Sequence, residues 1–340
     1  MTDQAEDFPQ QQHKFLFKII ALLVILGILA LFPSNYYIIS PGMAKSLDPM
    51  VEIKGKTYPQ AGEIMLTAVS MKNASLLEYL YVQIIRPDLV DLQSKDMLPP
   101  GMTMQEYFEL MQKVMKESQM KAKAVALKAA GYKAKITGQG AKIRKVLAES
   151  NAQGKLKAGD VIVAIDGEPV ELLTEVIDRV RDREVGEPVE VTVKRNDQQR
   201  TYTIQTKAIK EDSAKPSIGV LITSYQREYD FPLKIEIHAG KIGAPSAGSM
   251  FALEIYNRLT EEDLTQAGKI AGTGTIDLTG QVGKIDGIKQ KIVAAQKSGV
   301  EIFFVPQTNL EEAKELEEMK VNLVPVKEFQ DIINYLVQLE

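Results

Sequence analysis

A serine among small residues is the first feature of this sequence that could do chemistry. Ser246 lies in Gly243-Ala244-Pro245-Ser246-Ala247-Gly248, at the start of a predicted helix from about Ala247 to Leu259. At a strand-to-helix turn, such a serine exposes its hydroxyl, and backbone N–H groups at the helix start face a developing oxyanion. A serine here could also be a simple helix N-cap. Taken alone, the N-cap interpretation is favoured.

The composition restricts which group could activate this serine. The chain of 340 residues has no cysteine and two histidines, His13 and His238. A Ser-His-Asp triad could use only His238, which precedes Ser246, whereas hydrolases with a G-x-S-x-G elbow place their histidine after the serine. A lysine base remains, provided that burial lowers its pKa so that it is neutral when it accepts the proton.

Two lysines in the segment Gly287-Ile288-Lys289-Gln290-Lys291-Ile292 are candidates for that base. In a helix, Ile288 and Ile292 form the inward face, and Lys291 flanks it more closely than Lys289 does. This spacing gives Lys291 only a slight advantage. A solvated helix lysine is the simpler alternative.

An apolar segment near the N-terminus predicts a membrane anchor. Phe15 to Phe32 is eighteen residues with one charge, Lys18, and Tyr36 to Ile39 extend the apolar stretch past Pro33. A cleaved signal peptide is the competing interpretation, but the small-residue cleavage pattern is missing. We therefore expect a cytoplasmic tail at 1–14 and a transmembrane helix at 15–33. Lys14 and Lys18 orient the residues that follow to the outside of the cell.

The segment 34–125 predicts strands followed by a helix. Alternation in Val51–Ile53 and Glu63–Val69 indicates short strands. Pro99-Pro100-Gly101 breaks the chain, and a long helical pattern runs from Thr103 to Ala130. Its methionines favour packing over a cofactor site.

Residues 126–210 resemble a PDZ domain of the bacterial protease-associated kind. The likeness is carried by Gly154-Lys155-Leu156, Gly159-Asp160-Val161-Ile162 and Ile165-Asp166-Gly167. The resemblance implies a module that binds an extended peptide as an added strand. A small β-rich domain without an open groove is the simpler alternative. Thr137-Gly138-Gln139-Gly140 is a candidate carboxylate-binding loop.

Residues 211–340 alternate strands and helices, an α/β pattern, and from about 233 they resemble the proteolytic domain of the Lon family. The matching motifs are Pro245-Ser246-Ala247-Gly248, Thr273-Gly274-Thr275-Ile276-Asp277-Leu278-Thr279-Gly280-Gln281-Val282, Gly287-Ile288-Lys289-Gln290-Lys291 and Gly299-Val300-Glu301-Ile302-Phe303-Phe304-Val305-Pro306. That family uses a Ser-Lys dyad, so the resemblance implies Ser246 and Lys291 as catalytic residues and Thr273 as support for the lysine.

Two departures and one further likeness refine this expectation. No G-x-x-x-x-G-K-[ST] loop occurs, so we expect no use of ATP, and Gly243-Ala244 replaces an acidic residue that often precedes the family's Gly-Pro-Ser. The segment Gly62–Val69 resembles the opening strand of a Lon proteolytic domain. The PDZ unit would then be inserted into the protease domain instead of preceding it.

The whole layout resembles the YlbL/SepM family of membrane-anchored cell-surface peptidases, one of which trims a secreted signalling peptide. The expected fold class is α/β, an α+β Lon-type domain with a PDZ domain and one N-terminal transmembrane helix. We expect an ATP-independent endopeptidase that acts on flexible peptides outside the cell, with no cofactor, metal or nucleic acid; whether it forms an oligomer stays open. The alternatives are a membrane-tethered peptide-binding scaffold with an inactive Lon-like domain and a Ser-His hydrolase that uses His238.

Overall fold

The computed structural model describes residues 7–95, 104–209, 212–240 and 245–339. Its helices are α1 Asp7–Leu31, α2 Leu76–Ile85, α3 Met104–Ala129, α4 Leu173–Arg181, α5 Gly248–Leu259, α6 Ile288–Lys297, α7 Leu310–Lys314 and α8 Phe329–Val337. Its strands are β1 Pro33–Ser46, β2 Val51–Lys54, β3 Glu63–Ser75, β4 Asp91–Ser94, β5 Lys135–Thr137, β6 Ala141–Val146, β7 Val161–Ile165, β8 Glu168–Pro169, β9 Pro188–Arg195, β10 Gln198–Gln205, β11 Lys207–Ile209, β12 Asp212–Ser217, β13 Val220–Ser224, β14 Glu228–Asp230, β15 Lys234–Ile237, β16 Lys269–Gly272, β17 Thr275–Ile276, β18 Val282–Gly283, β19 Ile302–Pro306 and β20 Asn322–Val326. The predicted break at Pro99-Pro100-Gly101 and the predicted helix start at Thr103 lie outside the described residues.

The chain forms two compact units, one made of Met1–Tyr132 with Leu233–Glu340 and the other of Lys133–Pro232. These bounds differ from the predicted boundaries of 126–210 and 211–340. Helix α3 continues to Ala129 as one element. Strands β13 and β14, which follow residue 210, pair with β6 and β5. The hydrogen bonds of these two pairs therefore assign residues 212–232 to the second unit.

The first unit is built on a six-stranded sheet in the order β20-β19-β16-β3-β1-β4. Its four strands from β20 to β3 are parallel, and β1 runs antiparallel to both β3 and β4. The apolar run at Phe303–Val305 in β19 is fully buried, as a central strand of such a sheet requires. Strands β1, β3 and β4 precede the second unit in the chain and β16, β19 and β20 follow it, so the second unit interrupts the first.

The N-terminal apolar segment divides into a helix and a strand. Tyr36 to Ile39, which the sequence pattern assigned to an extended apolar stretch, belong to β1 and pair with both β3 and β4. Ile38 is buried in a small core against Ala74 and Val82. In the part of the chain that the structure describes, no helix is both long enough and apolar enough to span a membrane.

The second unit contains a six-stranded sheet in which β10-β9-β7-β6-β13 are consecutive neighbours and the short β8 also pairs with β7, and α4 packs beside it. Its core consists mainly of β-branched side chains that alternate along the strands, among them Ile143, Ile162, Val191 and Ile204, all fully buried. The hairpin between β9 and β10 turns at Asn196 and Asp197, whose φ values of 50° and 62° are typical of a type I′ turn.

Candidate active site

Ser246 lies in a short 3₁₀ turn, Pro245–Ala247, that leads directly into α5. The residue is 8% exposed. The N-cap residue of α5 is Ala247, whose side chain cannot accept a capping hydrogen bond, so Ser246 is not the helix cap that its sequence context also allowed. A Cβ at Gly248 would come within 2.7 Å of Ser118 Oγ and 2.9 Å of Ile276 Cγ2, which explains why glycine occupies the second position after the serine.

Lys291 reaches Ser246 from the second turn of α6. Its Nζ lies 3.0 Å from Ser246 Oγ, and the residue is 4% exposed. The inward face of α6 is fixed by Ile288 and Ile292, which are fully buried. Helix α6 starts after Gly287, which has φ 70° and whose Cβ would lie 2.8 Å from Val69 Cγ1. A glycine is therefore needed to bring this helix close to β3.

Thr273 links the serine and the lysine. Its Oγ1 donates a hydrogen bond to the carbonyl of Ser246 at 3.0 Å and accepts one from Lys291 Nζ at 3.3 Å. The neighbouring N–H of Gly274 donates to the same carbonyl at 2.7 Å. Thr273 follows β16 and is 1% exposed, so the edge of the central sheet holds the backbone of the serine turn.

Burial lowers the pKa of Lys291 from its ordinary value of 10.5 to about 8, because desolvation disfavours the charged ammonium; the carboxylate of Asp286 opposes this shift. With a pKa of about 8, about a tenth of the lysines are neutral at pH 7, against fewer than about one in a thousand for an ordinary lysine. The site can therefore hold a lysine that accepts a proton from a hydroxyl 3.0 Å away.

The other candidate bases lie elsewhere. Lys289 donates to Glu315 Oε2 at 2.7 Å on the surface of the same helix. His238 follows β15 with a side chain that is 61% exposed and 3.7 Å from Glu236. Among the described residues, neither side chain is hydrogen-bonded to Ser246. Gly243 and Ala244, which replace the acidic residue that often precedes the serine motif, lie outside the described residues.

Ser118 on α3 is a site residue that sequence reasoning missed. Its Oγ donates to the carbonyl of Pro245 at 3.1 Å, and the residue is 5% exposed. A signal was present, because Met115, Ser118 and Ala122 are spaced three and four residues apart and share the buried face of the helix. A serine on an otherwise apolar face needs a polar partner, and here that partner is the turn before the nucleophile candidate.

One group of metal-ligating side chains occurs within the described ranges. Glu52, Glu236 and His238 have ligand atoms within 4.8 Å of one another on the β2–β15 pair. The carboxylate of Glu236 is already paired with Lys234 at 2.8 Å, and the group lies largely at the surface. One of the two carboxylates in this group therefore already has a cationic partner.

The candidate carboxylate-binding loop of the second unit, Thr137–Gly140, has its backbone donors in use. The N–H of Gln139 donates to Tyr225 and that of Gly140 to Glu171, at 3.0 and 2.9 Å. Gly140 has φ 101°, and a Cβ there would lie 2.0 Å from the carbonyl of Ile162. The glycine therefore allows this loop to pass close to β7. The two backbone donors are already used and are not available to a peptide carboxylate.

Comparison with known families finds matches in two overlapping parts of the chain. Residues 188–339 match the family model of the Lon protease (S16) C-terminal proteolytic domain, and residues 112–206 match a PDZ domain model. The Lon protease of Aster yellows witches'-broom phytoplasma is 28% identical over 159 residues, 43% of this chain and 20% of that protein. The Lon protease of Mycoplasma genitalium is 31% identical over 161 residues, 44% of this chain and 20% of that protein.

Among solved structures, the PDZ domain of the SdrC-like protein from Listeria monocytogenes is 30% identical, covering 26% of this chain and 93% of that one, with a TM-score of 0.24. The chain spans about a fifth of the length of the two Lon proteases, so it shares only a part of them. The family matches and the order of the motifs agree: this chain combines a PDZ domain with a Lon-type (S16) serine peptidase domain.

Proposed function

We propose that the protein is an ATP-independent endopeptidase in which Ser246 is the nucleophile and Lys291 is the general base. The observation that carries this proposal is the 3.0 Å contact between Lys291 Nζ and Ser246 Oγ in a buried site. Neutral Lys291 takes the hydroxyl proton as Ser246 Oγ attacks a peptide carbonyl, and the ammonium then gives that proton to the leaving amine. Water, deprotonated by the same lysine, hydrolyses the acyl-enzyme and restores the serine.

The backbone around Ser246 supports oxyanion stabilisation in this mechanism. The carbonyl of Pro245 accepts from Ser118, and the carbonyl of Ser246 accepts from Thr273 and Gly274. The peptide groups on both sides of the serine are thus fixed before a substrate arrives. Fixed N–H groups at the start of α5 would stabilise the developing charge without reorganisation, which is the main source of such stabilisation.

Substitution of the dyad tests the mechanism. We expect Ser246→Ala and Lys291→Ala each to lower cleavage of a flexible fluorogenic peptide by at least about 10³-fold, as for other catalytic groups that act as a unit. The matched control is Lys289→Ala, which removes a surface lysine from the same helix and should retain activity. Circular dichroism checks that each variant is folded. Wild-type turnover in either dyad variant would exclude this chemistry.

The inactive-scaffold alternative makes a different prediction for the same site. A serine-reactive probe should label Ser246 in the wild-type chain and not in Lys291→Ala, because only an activated hydroxyl reacts. A scaffold would bind peptides and remain unlabelled. The Ser-His alternative is tested by His238→Ala, which we expect to retain full activity because His238 is largely exposed and paired with Glu236.

Substrates are proposed to be flexible peptides or unstructured segments, including a secreted signalling peptide. The support is the lack of a nucleotide-binding G-x-x-x-x-G-K-[ST] loop in the sequence, since folded substrates need a motor to unfold them. A PDZ unit would add capture of an extended peptide as a strand. Cleavage of a destabilised protein substrate but not of its folded form would support this proposal, and equal cleavage of both would contradict it.

We also propose that α1 holds the chain in the cell membrane, with its N-terminal end in the cytoplasm and both domains outside. The support is compositional: Phe15 to Phe32 carries one charge, and large side chains such as Phe17 and Leu23 are 73% and 60% exposed. Because the chain has no cysteine, single cysteines report topology cleanly. In intact cells, an impermeant maleimide should label Val337→Cys and not Thr2→Cys; the reverse result would overturn the orientation.

A further inference from the structure

Helix α2 directs an apolar stripe toward solvent. Leu77, Leu80, Tyr81, Ile84 and Ile85 recur at the spacing with which an amphipathic helix normally faces a protein core. Four of these side chains are exposed: Leu80 by 40%, Tyr81 by 54%, Ile84 by 75% and Ile85 by 59%. The opposite side of the helix packs inward through the buried Val82. The stripe therefore lacks a partner among the residues that the structure describes.

The stripe is continuous with the exposed apolar surface of α1. Helix α1 ends at Leu31, and the N–H of Leu76, the first residue of α2, donates to the carbonyl of Phe32 at 2.8 Å. Pro33 of β1 pairs with Ser75, whose side chain caps α2 together with Glu78. The two helices also contact each other directly. Helix α2 thus begins at the level at which the apolar segment of α1 ends.

We propose that α2 lies on the surface of a lipid bilayer, with its stripe in the boundary between headgroups and acyl chains. The proposal rests on the proposed membrane association of α1, because a chain that leaves the bilayer at Phe32 places α2 at that boundary. The amphipathic ring of Tyr81 and the exposed guanidinium of Arg86, which follows the helix, are side chains that suit this depth.

A second copy of the chain is a less suitable occupant. Four partly exposed side chains of one ten-residue helix fall well short of the roughly 800 Å² that each partner of a stable dimer buries. A lipid surface needs no such area on α2 alone, since α1 supplies the larger part of the apolar contact. Docking of α2 would fix the angle at which the first unit stands on the membrane.

Single tryptophans test this proposal, because the natural chain has none. We would prepare Ile84→Trp, Leu23→Trp and Val337→Trp in the full chain and reconstitute each in phosphatidylethanolamine–phosphatidylglycerol vesicles. Brominated acyl chains then report which indoles touch lipid. Val337 is the control, because it is 40% exposed on α8, which packs against β20, whereas α2 packs against β1 and β4 at the opposite end of the sheet.

The expected result is quenching of Leu23→Trp and Ile84→Trp by brominated lipid, with Val337→Trp unquenched. Quenching of Leu23→Trp without Ile84→Trp would overturn the docking of α2 and leave the α1 proposal intact. Absence of quenching at both positions would overturn the proposals for α1 and for α2. A blue-shifted Ile84→Trp emission that depends on protein concentration and not on brominated lipid would assign the stripe to a second copy, and equal quenching at all three positions would exclude a specific docking face.

Discussion

An ammonium group is strongly hydrated in water. Burial of Lys291 beside Ser246 therefore costs free energy whenever the lysine is charged. Lys291 is 4% exposed, and among the described residues its neighbours within hydrogen-bonding distance are two hydroxyl oxygens. Hydroxyls solvate an ammonium less well than water does, and Asp286 compensates only in part for the lost water. The balance places the pKa where a general base operates best, near the pH of its surroundings.

The pH dependence of cleavage follows from this pKa. Because Lys291 must be neutral to accept the proton, we expect kcat/KM for a flexible peptide to rise with pH, with a midpoint near 8, and to level off above it. Below the midpoint, log kcat/KM should rise by about one unit for each pH unit, because a single proton is lost. A profile that is flat from pH 6 to 9, or that falls with rising pH across this range, would contradict the assignment of the base.

The same burial predicts how stability depends on pH. The folded-state pKa of about 8 lies below 10.5, so the unfolded chain binds more protons between these values and the free energy of unfolding rises with pH through this window. Below pH 8 the folded protein bears the full free-energy cost of burying the charged lysine. The pKa shift corresponds to about 3 kcal/mol.

Lys291→Met should remove that cost while it fills the same space. Urea titrations should find this variant more stable than wild type at pH 7, by up to about 3 kcal/mol, with a difference that shrinks as the pH approaches 10.5. Lys289→Met is the matched control, since Lys289 lies on the surface. A Lys291→Met variant that is less stable than wild type at pH 7 would show that the lysine stabilises the fold.

At the scale of elements, α3 supports the serine turn through a single hydroxyl. Ser118→Ala removes the donor to the carbonyl of Pro245 but leaves Ser246 and Lys291 in place. We expect kcat to fall by roughly tenfold, the worth of one net hydrogen bond of about 1.4 kcal/mol in the transition state, with KM unchanged. Ser118→Thr keeps the donor and should retain more activity than Ser118→Ala. A loss confined to KM would mean that α3 acts on substrate binding instead.

Much of the site could be predicted from sequence, because its residues come in local motifs. The α5 and α6 patterns, the buried run of β19 and the turn at Asn196-Asp197 each follow from short-range propensity or periodicity, and the structure contains all four elements. The pairing of Ser246 with Lys291, 45 positions apart, followed from family resemblance, since periodicity alone hardly separated Lys291 from Lys289.

The elements that were missed depend on distant contacts. Tyr36 to Ile39 have an apolar pattern that suits a membrane segment as well as a strand, and only pairing with β3 and β4 decides between them. Helix α7 ends at Lys314 although residues with high helix propensity continue to Glu318. Beyond Lys314, Leu316 and Met319 pack against the core of the first unit, a tertiary contact that helix propensity does not predict. The spacing of Ser118 on α3 indicates a buried serine, but its partner, the carbonyl of Pro245, lies 127 positions away and no local pattern predicts that contact.

At the scale of the whole molecule, each unit has a hydrophobic core of its own. Ile162 is fully buried in the core of the second unit, and Ile270 is 2% exposed in the central sheet of the first. We expect Ile162→Ala and Ile270→Ala each to lower the stability of its own unit by about 2 to 4 kcal/mol. Scanning calorimetry should then resolve two transitions, with each variant lowering a different one. A single transition lowered equally by both would contradict two separate cores.

The central sheet joins residues far apart in the chain, and this has a consequence for synthesis. Thr67 of β3 donates to the carbonyl of Gly272 in β16, 205 positions later. On the ribosome, the second unit emerges whole before β16 does, and its early folding shortens the loop that the sheet must close, which lowers the entropic cost of closure. Thr273 and Lys291 come later still. A nascent chain therefore carries Ser246 before it carries Thr273 and Lys291, so under the proposed mechanism a partly synthesised chain has a nucleophile without its general base.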